Sequence, residues 1–149
     1  MIAGLAVGDR HVSRWFAMDR ARIEAFAEVT EDRQWIHLDA ERAAQSPFGG
    51  QIAHGFLTLG MLSAMAYDAL GFGDGDDFSI NYGFDRVRFV SPVPAGSRLR
   101  GVFVLAERMP GAGHVTLALD VTMELEGAAR PALVARWQIR LMTTEPEPR

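Results

Sequence analysis

No cysteine occurs in the 149-residue chain, so a disulfide framework, a thiolate metal site and a cysteine nucleophile are all excluded. Positive charge is in deficit. Fifteen Lys and Arg against 19 Asp and Glu leave a net charge of -4, whereas a nucleic-acid partner would need a basic face. A substrate bearing phosphates can still meet a local basic patch. Long apolar runs are missing too: the longest, residues 56–70, is interrupted by Thr58, Ser63, Tyr67 and Asp68 and is too short to span a bilayer. The opening "MIAGLAVGDRHVSRW" has no basic stretch leading into an apolar core, so no secretory leader is read and a cytoplasmic protein is expected. Neither an internal repeat nor a low-complexity tract is visible.

What is there suits one domain over residues 1–149. Hydrophobic residues make up 48% of the chain, enough for a substantial core. The polar, proline-containing end, residues 143–149, is expected to fray. In the first half, "HVSRWFAM" (11–18) alternates like a strand. "MDRARIEAFAEVTED" (18–32) predicts a helix capped by Asp19, with Ile23, Phe26, Ala27 and Val29 as its apolar stripe. A second, short helix is expected over 39–46, capped by Asp39, with "SPFGG" as a turn after it. Residues 54–70 then predict a helix apolar nearly all round, which is the pattern of a buried helix, ending at Gly71 before the loop "GFGDGDD".

The second half changes period. Four β-branched and aromatic stretches, 78–93, 97–109, 113–127 and 130–142, are separated by "PAGS", "PGAG" and "GAARP". Tight connections between them predict an antiparallel meander. A long antiparallel sheet and one apolar helix are best satisfied by wrapping the sheet around the helix, an α+β hot-dog arrangement. The sheet edges and its uncovered face would then be covered in a homodimer.

Two segments carry chemistry. In "TEDRQWIHLDAERA" (30–43), Asp32 ends the first helix and His37 follows five residues later in a short loop. A carboxylate and an imidazole aimed at one point are suited to acid–base work on a water molecule. From spacing alone, a helix-end hydrogen-bonding role for Asp32 and a surface role for His37 fit as well. In "GGQIAHGFLTLG" (49–60), Gly55 opens the apolar helix. Unpaired N–H groups there can hold a polarised carbonyl oxygen, and the absence of a side chain leaves room for it. Tight packing at a helix start explains the same glycine. His54 suits a helix-end hydrogen bond better than proton transfer. His11 and His114 have no supporting context and are expected at the surface. No His–carboxylate grouping in the sequence has the spacing of a metal site.

These segments resemble the signatures of the MaoC-like, or R-specific enoyl-CoA hydratase, family of the hot-dog superfamily. The family pattern Gly-Asp-x-Asn-Pro-aliphatic-His, with a small residue after five more, stands in this chain as Glu31-Asp32-Arg33-Gln34-Trp35-Ile36-His37 with Ala43. "IAHGF" matches a second signature and "INYGFDRVRFVSPVPAGSRLR" a third, so the likeness covers nearly the whole chain. The "DxQWIH" form is similar to short single-domain members, nodulation protein N-like and actinobacterial enoyl-CoA hydratases among them. Glu31, Gln34 and Trp35 depart from the usual Gly, Asn and Pro. Gln34 keeps the amide with one more methylene and Trp35 adds an apolar wall, changes that bear on chain-length preference more than on reaction type.

The resemblance implies that Asp32 and His37 are the catalytic pair, with Gln34 orienting the site. It implies that Gly55 N–H holds the carbonyl of a trans-2-enoyl thioester, and that water adds to give a (3R)-3-hydroxyacyl thioester, with dehydration as the reverse. Ile52, Ala53, His54, Asn81, Tyr82, Ser91, Pro92 and Val93 are implied to line the substrate tunnel. Ser63 either supports the loop bearing the pair or bonds its own helix backbone. The implied partner is an acyl thioester of coenzyme A or acyl carrier protein, with no cofactor and no metal. Arg86, Arg88, Arg98 and Arg100 flank the "FVSPVPAGS" turn and offer phosphate contacts, or simply a solvated face. Two other functions share the fold: an acyl-CoA thioesterase, and a non-catalytic subunit paired with an active partner.

Overall fold

The computed structural model describes residues 4–72 and 78–142; residues 73–77 of the loop expected over 71–77, and the end at 143–149 expected to fray, lie outside the described residues. The single strand expected over 11–18 is two short ones, β1 (Arg10–Val12) and β2 (Phe16–Met18). Both pair antiparallel with β4 (Ser97–Gly111). Ser13 causes the break. Its N–H donates to Gly101 O while its hydroxyl accepts from Gly101 N–H, both at 2.9 Å, so a side chain takes over one rung of the ladder.

Helix α1 (Arg20–Thr30) starts at Asp19, whose carboxylate accepts the Arg22 N–H at 2.8 Å. Ile23 and Ala27 are buried, but Val29 is exposed. Six residues beyond Ile23, Val29 falls well off the apolar face at 3.6 residues per turn, so it does not belong to the stripe.

The strands β3 (Phe78–Phe89), β4, β5 (His114–Leu125) and β6 (Leu133–Met142) follow the expected spans closely. Their order does not. The sheet runs β1-β4-β5-β6-β3, with β2 also on β4. Strands β4, β5 and β6 form the expected meander, whereas β3 crosses to the far edge beside β6. The connection over residues 90–96 makes that crossing. Pro92 and Pro94 offer no N–H for a ladder, and the segment is tied elsewhere: Val90 N–H to Ala132 O, Ala53 N–H to Val93 O and Ala95 N–H to Gln51 O, at 2.8–2.9 Å.

The central helix is α4 (Gly55–Gly60) followed by α5 (Leu62–Leu70). Met61 joins them in helical geometry, with its N–H on Leu57 O and its carbonyl accepting Met65 N–H, so the run is nearly continuous. Leu62, Met65, Ala66 and Leu70 enter the main core with Leu99, Phe103, Leu119 and Trp137 of the sheet. At Gly101 a Cβ would lie 3.2 Å from Met65 Cβ and 2.7 Å from the Phe103 ring, so only glycine lets α5 and this ring pack against β4. The helix is not buried all round, as its composition suggested. Phe56 is 71% exposed and Tyr67 is also exposed, so one apolar side of the helix faces outward in the single chain. Sheet around helix remains the architecture, and the fold is of the hot-dog class. Among the described residues no helix is long and apolar enough to cross a membrane.

Candidate active site

Helix α1 ends at Glu31, which takes the left-handed conformation with φ 62°. That is the position where the family pattern has glycine, and the backbone geometry explains why. The turn directs Asp32 away from the helix. Its carboxylate accepts the Gln34 N–H at 3.4 Å and is otherwise exposed. His37 does not sit in a plain loop: it belongs to a one-turn helix, α2 (Trp35–Leu38). Asp39 then caps α3 (Ala40–Ala44) through the Arg42 N–H at 3.0 Å, as expected. Gln34 N-caps α2 without a side-chain bond.

His37 is 6% exposed. Its Nδ1 lies 2.7 Å from Ile52 O, and since a carbonyl only accepts, Nδ1 carries the proton and Nε2 keeps its lone pair. Gln51 Nε2–H donates to His37 O at 2.9 Å, and Ile52 N–H to Ile36 O at 3.2 Å, lashing residues 51–52 to α2. Burial pushes the His37 imidazole below its ordinary value of 6.5; the nearby His54 adds to this, while the Ile52 carbonyl and Asp32 partly oppose it. The ring is therefore neutral around pH 7, with a lone pair available as a base.

His54 N-caps α4 with no side-chain bond to that helix. Its Nε2–H donates instead to Asp32 O at 2.9 Å, so it braces the loop that carries the acid. Its ring stacks on His37 with centroids 3.8 Å apart. Its Nδ1 is shielded and without a partner.

Asp32, His37 and His54 thus bring one ligand-type atom each within 4.8 Å of one another, a grouping invisible in the linear sequence. The two imidazole planes are only 26° apart, so their lone pairs run alongside each other rather than converging on one point at zinc-ligand distance. The arrangement suits proton handling better than metal binding.

Beside this group lies an open cleft of about 250 Å³. Ile52, Ala53, Gly55, Ser91, Pro92 and Val93, all named from the sequence, line it. Gly55 stands at the first turn of α4, where helical geometry supplies no acceptor for its N–H. A Cβ there would meet the Phe89 ring at 3.2 Å. Thr58, which the sequence did not single out, also lines the cleft, with a buried hydroxyl that has no partner.

The remaining sequence-named residues do not gather at this cleft. Ser63 and Asn81 line a separate small cavity with Tyr67 and Trp137, and no bond joins Ser63 to the 30–37 segment. Tyr82 lies on β3 with the Arg140 guanidinium 3.6 Å above its ring. Of the arginines flanking the turn, Arg98 pairs with Glu126, and Arg100 with Glu124 at 2.6 Å while also covering Trp15. Arg88 bonds Val87 O, and Arg86 lines a shallow depression with Asp120 and Arg136. His11 is half-buried on β1 opposite Phe103 rather than at the surface, and His114 is half-buried at the start of β5.

Comparison with known proteins gives the family. The family model described as MaoC like domain matches residues 6–125. Nodulation protein N of Rhizobium leguminosarum bv. viciae is 48% identical over 139 residues, covering 92% of this chain and 86% of its own. The 3-hydroxyacyl-thioester dehydratase Z of Mycobacterium tuberculosis (strain CDC 1551 / Oshkosh) is 43% identical over 140 residues, covering 93% and 89%. Among solved structures, the unliganded R-hydratase PhaJ1 of Pseudomonas aeruginosa aligns with a TM-score of 0.72 at 27% identity, covering 97% of this chain and 86% of that one. With the Asp32–His37 pair beside a cleft opened by Gly55, on a sheet wrapped around a central helix, the chain belongs to the MaoC-like dehydratase family.

Proposed function

We propose that this chain is an (R)-specific enoyl-CoA hydratase, running equally as a 3-hydroxyacyl-thioester dehydratase, in the cytoplasmic metabolism of acyl thioesters. The observation that carries the reading is the buried His37, with a ring nitrogen within 4.8 Å of an Asp32 carboxylate oxygen and Nδ1 bonded to Ile52, a residue that lines the Gly55 cleft. One water molecule fits between the two side chains, hydrogen-bonded to both. A trans-2-enoyl thioester lies along the cleft with its carbonyl oxygen on Gly55 N–H. That bond draws electron density from the β-carbon. The water oxygen then forms a bond to the β-carbon while the Asp32–His37 pair removes its proton. The α-carbon receives a proton from the same pair, and the sum is addition of one water.

The working assembly is a homodimer. β3 is an edge strand twelve residues long, and Phe78, Ile80, Tyr82 and Phe84 on it are all exposed, as is Phe56 on the central helix. An open apolar edge of this length needs cover, and a second copy of the chain supplies it.

Parallel assays on crotonyl-CoA and a saturated acyl-CoA test the reading. Loss of enone absorbance without thiol release is expected. Thiol release from the saturated thioester, with the enone untouched, would make the chain a thioesterase instead. Inactivity alone with activity on mixing with a second subunit would make it a non-catalytic partner.

A further inference from the structure

Thr58 is 2% exposed, one turn into α4, and its hydroxyl oxygen is shielded without a hydrogen-bond partner. A threonine inside a helix ordinarily returns its hydroxyl to the carbonyl four residues back. That carbonyl belongs to His54, and of the two Thr58 donors it takes only the N–H, at 3.1 Å. The hydroxyl therefore forgoes its default partner, on a residue that lines the cleft together with Gly55, Phe89 and Ser91. Helical side chains tilt toward the N-terminus, and residues three apart share a face. The Thr58 side chain thus leans back toward the turn of Gly55, where the Phe89 ring also packs.

Resting on the reading of this cleft as a thioester site, we infer that Thr58 contacts the substrate: its hydroxyl donates a hydrogen bond to the thioester carbonyl oxygen, as a second donor beside the Gly55 N–H. Negative charge builds on that oxygen as water adds to the β-carbon. A donor already in place, with no internal partner to give up, gains strength at that moment. The contribution therefore falls on kcat more than on KM. A substrate contact also accounts for a buried hydroxyl being kept at this position at all. Valine has the same shape and would bury without an unsatisfied polar atom.

The test compares Thr58→Val and Thr58→Ser with the wild-type chain, by crotonyl-CoA hydration and thermal melting. Thr58→Val is expected to lower kcat about ten- to a hundredfold with little change in KM. Its melting temperature should stay level or rise, because the unpartnered hydroxyl is gone. Thr58→Ser should retain kcat within a few-fold. A Thr58→Val enzyme with wild-type kcat overturns the inference. So does one that loses melting temperature together with kcat, since the hydroxyl would then serve the fold. If the wild-type chain hydrates no enoyl thioester, the hydratase reading itself fails and takes this role with it; a hydrating wild type with an unaffected Thr58→Val rejects only the role of Thr58.

Discussion

His37 and His54 brace each other's segments. Their rings stack with centroids 3.8 Å apart, and each donates an N–H to a backbone carbonyl on the other's stretch of chain: His37 to Ile52, His54 to Asp32. The two signature segments, more than a dozen residues apart in sequence, are thereby fixed in one register. Asp32, His37 and the start of the central helix are tied together. Each ring has its donor nitrogen committed to a carbonyl, which fixes how both rings are oriented.

The pH dependence follows from His37. Its folded-state value lies below the ordinary 6.5, chiefly through burial. Between the folded value and 6.5 the unfolded chain binds the proton and the folded one does not. Stability from this group is therefore complete above 6.5 and declines on acidification through that window. Denaturant titrations of wild type and His37→Gln across pH 5–8 should show the wild type losing its margin over the variant on the acid side only. The acid limb of kcat/KM should likewise inflect below 6.5. An inflection above 6.5 would contradict a His37 held neutral by burial.

Glu31 is the one non-glycine residue with positive φ among those described. The left-handed region costs such a residue about 1–2 kcal/mol. Glu31→Gly removes that cost and adds some unfolded-state entropy. A net gain of up to about 1 kcal/mol in chemical denaturation is expected, with hydration activity near wild type. A loss of stability would show that the Glu31 side chain holds the turn.

Much of this was legible from the chain alone, for physical reasons. Asp19 and Asp39 announce their helices because a cap is a local bond, three residues long. The strand spans follow from period-two patterning, and the Asp32–His37 interval from a motif whose geometry is nearly local. What was hidden depends on neighbours distant in sequence. Strand alternation does not say which strand lies beside β3, and the crossing to β6 is set by tertiary ties of residues 90–96. The break at Ser13 depends on Gly101. An apolar helix face reads the same whether it meets the core or a second chain, so the exposure of Phe56 and Tyr67 was not foreseeable. His54 reaching back to Asp32, and Thr58 left without a partner, are facts of folded geometry with no sequence signal of their own.

The two glycines of the central helix should respond differently. A Cβ on Gly55 meets the Phe89 ring at 3.2 Å at the edge of the cleft, whereas one on Gly60 meets nothing within 4 Å. Gly55→Val should cut turnover about a hundredfold by crowding the carbonyl's approach, the scale of a lost oxyanion donor. Gly60→Ala should leave turnover intact and raise stability by up to about 1 kcal/mol through helix propensity. Kinetics and melting measured side by side separate the cases. A folded Gly55→Val enzyme with wild-type turnover would place the carbonyl elsewhere.

Sedimentation at micromolar concentration should give twice the chain mass. Replacing Ile80 or Phe56 with Glu puts a charge into the apolar surface that a second copy would cover, and should shift the equilibrium toward monomer. A stable wild-type monomer would rule the dimer out.

Whether Asp32 and His37 react with substrate is decided by hydration of crotonyl-CoA by the wild type, Asp32→Asn and His37→Ala, followed by enone absorbance with melting curves taken alongside. An active wild type is expected, with at least about a hundredfold loss in each variant, the scale of a missing acid–base residue, and the fold retained. Folded variants that keep near-wild-type activity would contradict the assignment of Asp32 and His37 as the reacting pair.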